Sequence, residues 1–176
     1  TRVEPDQIVR IPPLKLGDAA PQAEKKINPK DAEFIRSLIL YEDKDVLVLN
    51  KPHGLSVQGG SGTKVHIDGM LESYRDEKGE RPRLVHRLDR DTAGCLVLAK
   101  SRLAASKLAQ TFRTRSARKI YWAIVSGVPH PHQGRISTFL AKDRDPKAEK
   151  MQVVRHGEDE ASHAVTYYSV VEKMGK

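Results

Sequence analysis

Residues 86–94 (HRLDRDTAG) constrain the fold most, because they join two short apolar runs through a turn. Leu84 and Val85 precede this motif, and the apolar residues 95–99 follow it. Asp, Thr and Gly favour turns, since they bond to nearby backbone or accept unusual backbone angles. The pattern predicts β-structure on both sides, with Asp89 where the chain folds back.

Two cations, Arg87 and Arg90, flank Asp89. Neighbouring positive charge favours the ionised form of a carboxylate, which is what an Asp beside the phosphates of a polyanion needs. The alternative interpretation is a structural Asp that caps a turn by local hydrogen bonds. The residues of this segment leave both interpretations open.

A second basic segment runs from Lys100 to Lys119, with seven cations and no Asp or Glu. Its apolar residues recur at helical spacing after the N-cap candidate Ser101, which predicts an amphipathic helix over about residues 102–116. The whole chain has 31 Lys and Arg against 23 Asp and Glu, a net charge of +8. We expect the helix to contact phosphates, a solvated basic face being the alternative. The candidate contacts are Arg102, Lys107, Arg113, Arg115 and Arg118.

Four segments resemble the motifs of the RluA-type pseudouridine synthases, in the order of that family. They are residues 45–60 (DVLVLNKPHGLSVQGG), 86–94, 119–127 (KIYWAIVSG) and 161–172 (ASHAVTYYSVVE). Together they extend over roughly residues 41–172, which is far more than a single short motif. One departure is Ala93, where the family usually has Ser, and we expect this change to be harmless.

The resemblance implies an α+β fold: a mixed, mostly antiparallel sheet with packed helices. Residues 1–13 resemble the tail of an S4-like RNA-binding domain, residues 14–30 are a predicted linker, and residues 31–176 are the predicted catalytic domain. In the family, a later Gly-Arg-Thr-His-Gln-Ile-Arg segment supplies a basic partner for the catalytic Asp. This segment is not in the sequence. We therefore expect a fragment that lacks the C-terminal part of its sheet.

Within residues 31–176, the sequence predicts a short helix over about residues 31–40. Strands are predicted from residue 45 onward, apart from the basic helix. Residues 120–125 alternate Ile, Trp and Ile with Tyr, Ala and Val, which predicts a further strand.

The resemblance assigns Asp89 as the catalytic residue. Asp89 either adds covalently to the sugar or base, or stabilises C1′ and takes a proton from C2′. Tyr121 matches the aromatic residue that stacks on the target uracil, its alternative role being an ordinary tyrosine of the sheet. Arg87 matches the arginine that fills the space of the flipped nucleotide, or else it orients Asp89 as an ion-pair partner.

Five further residues are expected to support the site. His86 is predicted to be a hydrogen-bonded structural histidine rather than a general base, because it would point away from the carboxylate. Lys51 and Pro52 are expected to shape the wall of the site. Lys119 either contacts phosphate or packs along the sheet. Leu88 is the fifth residue that is expected to support the site.

The family's reaction needs no redox change, metal or cofactor, and none is predicted here. The sequence has one cysteine and no His-x-x-x-His pair on a predicted helix. That cysteine, Cys95, is interpreted as a buried apolar residue in a reducing compartment. No apolar stretch approaches the ~18 residues of a membrane span. We expect a cytoplasmic protein whose partner is RNA, with 23S ribosomal RNA as the substrate and no membrane contact.

Two other classes of function stay open. One is an RNA-binding module or assembly factor whose catalytic site is silent. The other is a hydrolase acting on nucleosides, which usually needs two carboxylates that flank the scissile bond. Asp91 lies two residues from Asp89, but the two do not form a convincing acid–base pair.

Overall fold

A computed structural model describes residues 28–60, 62–114, 116–143 and 151–175. The chain falls into two compact units, one ending at Lys119 and the other beginning at Ile120. The predicted S4-like tail, residues 1–13, and residues 14–27 of the predicted linker lie outside the described residues. The predicted domain boundaries stay predictions.

The first unit combines helices with an antiparallel sheet. Its elements are α1 (Pro29–Ser37), β1 (Ile39–Glu42), β2 (Val46–Lys51), α2 (Ile67–Met70), a 3-10 turn (Leu71–Ser73), β3 (Arg83–Leu84), β4 (Gly94–Ala99) and α3 (Arg102–Arg113). Among the described residues this sheet has the strand order β1-β2-β4-β3, and each neighbouring pair is antiparallel. The predicted α+β class is confirmed.

The core of the first unit is built on the two inner strands. Leu47 and Leu49 of β2 lie opposite Leu98 and Leu96 of β4, and all four side chains are fully buried. Side chains alternate between the two faces of a strand, so these leucines share one face. Burial of each is worth about 1.5–3 kcal/mol. The same cluster contains Ile35, Val57, Ile67, Leu71 and Leu88.

Cys95 is exposed, so its interpretation as a buried residue was wrong. It precedes Leu96 on β4, and Leu96 points into the core. Because neighbouring residues of a strand point to opposite faces, Cys95 points to the other side of the sheet.

The helix predicted over about residues 31–40 is found, with different ends. Asn28 caps it, because its side-chain oxygen accepts a hydrogen bond from the backbone N–H of Lys30 at 3.1 Å. Pro29 suits the first helical position, where an N–H would have no partner within the helix. The predicted C-terminal end was wrong, because Ile39 leaves the helix and pairs with Leu49 of β2.

The second unit contains a three-stranded antiparallel sheet whose first strand lies in the middle. Its strands are β5 (Gln133–Lys142), β6 (Met151–Val154) and β7 (Ser162–Ser169), in the spatial order β6-β5-β7 among the described residues. Gly134 of β5 lies opposite Tyr168 of β7. A Cβ at Gly134 would lie only 3.0 Å from the tyrosine ring, so a larger residue there would require the ring to move by a few tenths of an ångström.

The strand predicted over residues 120–125 was wrong, because these residues form no strand in the structure. Their large apolar side chains are exposed, and Trp122 keeps 88% of its surface accessible. Strands are stabilised by a hydrogen-bonded neighbour. Within the described ranges, no segment pairs with residues 120–125. The alternation of residue types could not show whether a pairing strand would be present.

Candidate active site

The 86–94 motif forms the loop between β3 and β4. Leu88 anchors this loop in the core cluster, with only 7% of its surface exposed. Its neighbours Arg87 and Asp89 are both exposed. Leu88 thus holds the loop on the core, while the residues on either side of it, Arg87 and Asp89, are accessible to solvent.

Lys51, the last residue of β2, is fully buried behind this loop. Its Nζ donates to the carbonyl oxygens of Pro52 at 2.9 Å, Leu55 at 2.7 Å and Arg90 at 2.9 Å. An ammonium group has three N–H donors, so all three are used. These partners compensate for part of the cost of burying the charge. Lys51 thereby ties the turn of residues 52–55 to the residue that follows Asp89.

Further backbone contacts hold the same loop. The N–H of Gly54 donates to the carbonyl of Arg90 at 2.9 Å, and Nε of Arg90 donates to the carbonyl of Gly54 at 3.1 Å. The N–H of Thr92 donates to the carbonyl of Asp89 at 3.1 Å. The backbone on both sides of Asp89 is therefore fixed, as precise positioning of a functional side chain requires.

Burial lowers the pKa of Lys51, because its ammonium loses the solvation that water provides. The negative charges of Asp91 and Asp89 oppose this shift. Asp91 also lies 3.9 Å from Nε2 of His53 at an exposed position. Lys51 thus places a positive charge behind the loop that carries the two carboxylates.

His86 is half-buried, and it connects the motif to β4. Its Nε2 accepts a hydrogen bond from the backbone N–H of Val97 at 2.9 Å, which requires that this nitrogen carry no proton. Burial lowers the pKa of His86, a hydrogen bond to the backbone of Arg87 opposes that effect, and the charge of Lys119 adds to it. The imidazole is thereby engaged in holding the loop on β4.

An aromatic contact attaches α3 to the motif. The ring of Phe112 stacks on His86, with centroids 4.3 Å apart and an interplanar angle of 24°. The Nζ of Lys119 lies 5.9 Å from the centroid of the Phe112 ring, a cation–π arrangement. Sequence reasoning missed this role of Phe112. Its position on the apolar stripe of the helix indicated only that the ring would pack against the rest of the protein.

The basic helix is found at Arg102–Arg113, three residues shorter than predicted. Its N-cap is Ser101, whose hydroxyl accepts a hydrogen bond from the N–H of Ala104 at 3.1 Å. Four candidate phosphate contacts are exposed, whereas Arg115 lies outside the described residues. The four are Arg102, Lys107, Arg113 and Arg118.

Lys100 differs from these cations, because its Nζ lies 2.6 Å from Oε1 of Glu42. Glu42 also accepts a hydrogen bond from the hydroxyl of Tyr74 at 2.9 Å. The acid that balances Lys100 therefore comes from β1, far away in sequence. Counting charges within residues 100–119 could not reveal this pair.

Two other predicted site residues occupy different surroundings. Pro52 is half-buried in the turn that follows Lys51. Tyr121 is exposed and belongs to the second unit. The structure therefore brings Lys51, Pro52 and Asp89 into one connected region, while the place of Tyr121 beside a target base stays a prediction.

No group of three or more His, Cys, Asp and Glu side chains in the described ranges could hold a metal ion. None of the helices described is both long and apolar enough to cross a membrane.

Comparisons with known proteins agree with the family resemblance of the sequence motifs. The profile of the RNA pseudouridylate synthase family matches residues 45–176. The "RNA pseudouridine synthase 4, mitochondrial" of Arabidopsis thaliana is 41% identical over 184 residues, covering 91% of this chain and 39% of the relative. The "Ribosomal large subunit pseudouridine synthase C" of Escherichia coli is 37% identical over 144 residues, covering 81% of this chain and 44% of the relative.

A solved structure, human RNA Pseudouridylate Synthase Domain Containing 4, shares the fold with a TM-score of 0.68 and 33% identity. The match covers 83% of this chain and 58% of that one. This chain spans 39% and 44% of the length of the two curated relatives above. The family match, the identities and the shared fold together show that the chain belongs to the RluA-type family of RNA pseudouridine synthases.

Proposed function

We propose that this protein isomerises specific uridines to pseudouridine in structured RNA. In this reaction the bond between uracil N1 and ribose C1′ breaks, and a bond between C5 and C1′ forms. The hydrogen on C5 leaves as a proton and N1 gains a proton, so nothing is oxidised or reduced. The protein must supply a carboxylate at the sugar, a surface for the detached base and a way to expose the nucleotide.

The placement of Asp89 is the observation that carries this proposal. Its side chain is exposed, while Leu88 before it is buried and the carbonyl of Arg90 after it is bound by Lys51 and Gly54. A carboxylate on a fixed backbone that reaches solvent can meet a nucleotide flipped out of folded RNA. Asp89 then acts either by covalent addition or by removing a proton from C2′, and both routes need this fixed position.

Two further residues are proposed to take part in the reaction. Arg87 is exposed two residues before Asp89, which supports a role in occupying the space of the flipped nucleotide or in orienting the carboxylate. Tyr121 is proposed to stack on the uracil, because a flat ring can hold a base while it turns. The supporting roles of Lys51, His86 and Leu88 follow from the contacts that hold the loop.

The exposed cations of α3 are proposed to contact RNA phosphates. These are Arg102, Lys107 and Arg113, with Arg118 just beyond the helix. We propose 23S ribosomal RNA as the substrate, supported by the relatives named ribosomal large subunit pseudouridine synthase C. A cytoplasmic location stays a prediction, and the mitochondrial relative from Arabidopsis provides the alternative that cell fractionation would decide.

Release of tritium from RNA labelled at uracil C5 tests the proposal directly, because that hydrogen must leave when C5 joins C1′. The assay uses the complete product of the gene, unmodified and with Asp89→Asn or Asp91→Asn. We expect Asp89→Asn to abolish release and to leave RNA binding intact. Asp91→Asn is the matched control, since it neutralises an exposed carboxylate two residues away, and it should keep most of the activity.

Three results would contradict the proposal. Tight RNA binding without tritium release would favour an RNA-binding module with a silent site. Equal release by Asp89→Asn would show that another group performs the chemistry. Free uracil among the products would indicate a hydrolase.

A further inference from the structure

One face of the three-stranded sheet in the second unit carries rings and a cation. In the β5–β7 register, Arg135 lies opposite Tyr167 and Phe139 lies opposite His163. Residues directly opposite each other on paired strands point to the same side of a sheet. Alternation places Ser137 on that side too. The aromatic face is defined here by Arg135, Ser137, Phe139, His156, His163 and Tyr167.

The rings of the aromatic face are held by one another. The centroid of Phe139 lies 5.1 Å from that of His163 and 4.7 Å from that of His156, the second contact being edge-to-face. The hydroxyl of Ser137 lies 2.8 Å from Nε2 of His163 and fixes its orientation. Tyr167 is different, since 76% of its surface is exposed.

The charge of this sheet favours an anionic ligand. The strands β5, β6 and β7 contain no Asp or Glu. Arg135 is a cation on the aromatic face, whereas Lys142 lies opposite Met151 on the other face. Arg135 lies beside the exposed ring of Tyr167 on the aromatic face. A guanidinium next to an open aromatic ring suits a ligand that has both a phosphate and a base.

The opposite face of the sheet has another chemistry. It carries Ile136 of β5 and Met151 and Val153 of β6, all exposed and apolar. An antiparallel sheet commonly packs one face on protein and leaves the other to solvent. The apolar face is therefore the side suited to protein contacts, and the aromatic face is the side suited to a polar ligand.

We infer that the aromatic face binds unpaired nucleotides of RNA through base stacking on Tyr167 and on the Phe139–His163 pair, with Arg135 at a phosphate. Residues 163 and 167 of β7 are about 13 Å apart along an extended strand, so separate rings can hold separate bases. Unpaired bases stacked on a sheet are a common form of RNA recognition. The inference rests on the proposed function only in taking RNA as the ligand.

Binding of a fluorescein-labelled single-stranded oligouridine, followed by anisotropy, tests this inference. The complete protein carries Asp89→Asn throughout, so that turnover cannot influence the result. Tyr167→Ala should raise Kd about tenfold, the size expected for the loss of one stacked base. Tyr167→Phe should bind normally, because the ring remains. Thr166→Ala, an exposed position on the opposite face of the same strand, is the matched control and should also bind normally.

Duplex RNA of the same sequence should show no such loss with Tyr167→Ala, because its bases are already paired and stacked. The inference is overturned if Tyr167→Ala binds oligouridine as tightly as the unmodified protein. It is also overturned if the variant changes only the sedimentation of the protein, since the face would then be a contact between copies. Tyr167-dependent binding without any tritium release would leave this inference standing and would refute the proposed activity.

Discussion

The ammonium of Lys51 lies 2.9 Å from the carbonyl oxygen of Arg90, a residue 39 positions later in the chain. Through this contact, a buried charge at the end of β2 holds the backbone immediately after Asp89. Two other carbonyls, from Pro52 and Leu55, share the same ammonium. The candidate catalytic loop is therefore positioned by a residue that is itself fully buried.

Replacement of Lys51 by methionine should destabilise the protein. The carbonyls of Pro52 and Leu55 would lose this donor, whereas the carbonyl of Arg90 would keep the Gly54 N–H. An unsatisfied buried acceptor costs about 1–3 kcal/mol. Removing a desolvated charge offsets part of this loss, so we expect the free energy of unfolding to fall by about 3 kcal/mol. Urea unfolding measures the change. Lys44→Met at an exposed position is the control, and equal stability of the two variants would contradict the role of the ammonium.

Gly54→Ala should weaken the same loop through backbone strain. Gly54 has φ +81°, and a Cβ there would meet no atom within 4 Å. The cost is therefore conformational, about 1–2 kcal/mol for a left-handed residue that is not glycine. Gly60→Ala is the control, because Gly60 also has open space but no positive φ. Thermal unfolding should show a lower Tm for Gly54→Ala only, and a parallel decrease in both variants would contradict the explanation.

Local features of this fold could be predicted from the sequence because they depend on neighbouring residues. The cap at Ser101 and the apolar spacing of the following segment predicted α3, and the structure has both. These patterns repeat within a few residues, so tertiary contacts were not needed to interpret them.

Contacts between distant segments could not be predicted in this way. The bond from Lys51 to Arg90 and the pair of Lys100 with Glu42 join residues 39 and 58 positions apart. The stacking of Phe112 on His86 likewise depends on how α3 packs against the sheet. For residues 120–125, the alternation is typical of a strand. A strand also depends on a hydrogen-bonded neighbouring strand, which the pattern does not identify.

The neutral form of His86 should make stability depend on pH. Burial lowers the pKa of His86 in the folded state, so folding favours the unprotonated ring that accepts the Val97 N–H. This contribution is fully present above the unfolded pKa of about 6.5, and it is lost as pH falls through the lower folded pKa. Urea unfolding from pH 7.5 down to about 5 should therefore show decreasing stability.

The variant His86→Gln should remove this part of the pH dependence, because an amide oxygen can accept the same N–H without titrating. His53→Gln serves as the control, since His53 is an exposed histidine beside Asp91. We expect the control to retain the decrease in stability at low pH. An unchanged pH profile in His86→Gln would show that other groups determine the acid sensitivity.

The cations of α3 should determine how RNA affinity depends on salt. Each phosphate contact adds about 0.7–0.9 to the slope of log K against log salt concentration, because bound counterions are released. Replacing both Arg102 and Arg113 by alanine should therefore reduce the slope by about 1.5. Lys100→Ala is the matched control, because Glu42 already neutralises Lys100, and it should leave the slope unchanged. If the control reduced the slope as much as the double variant, the exposed face of α3 would not be the phosphate contact.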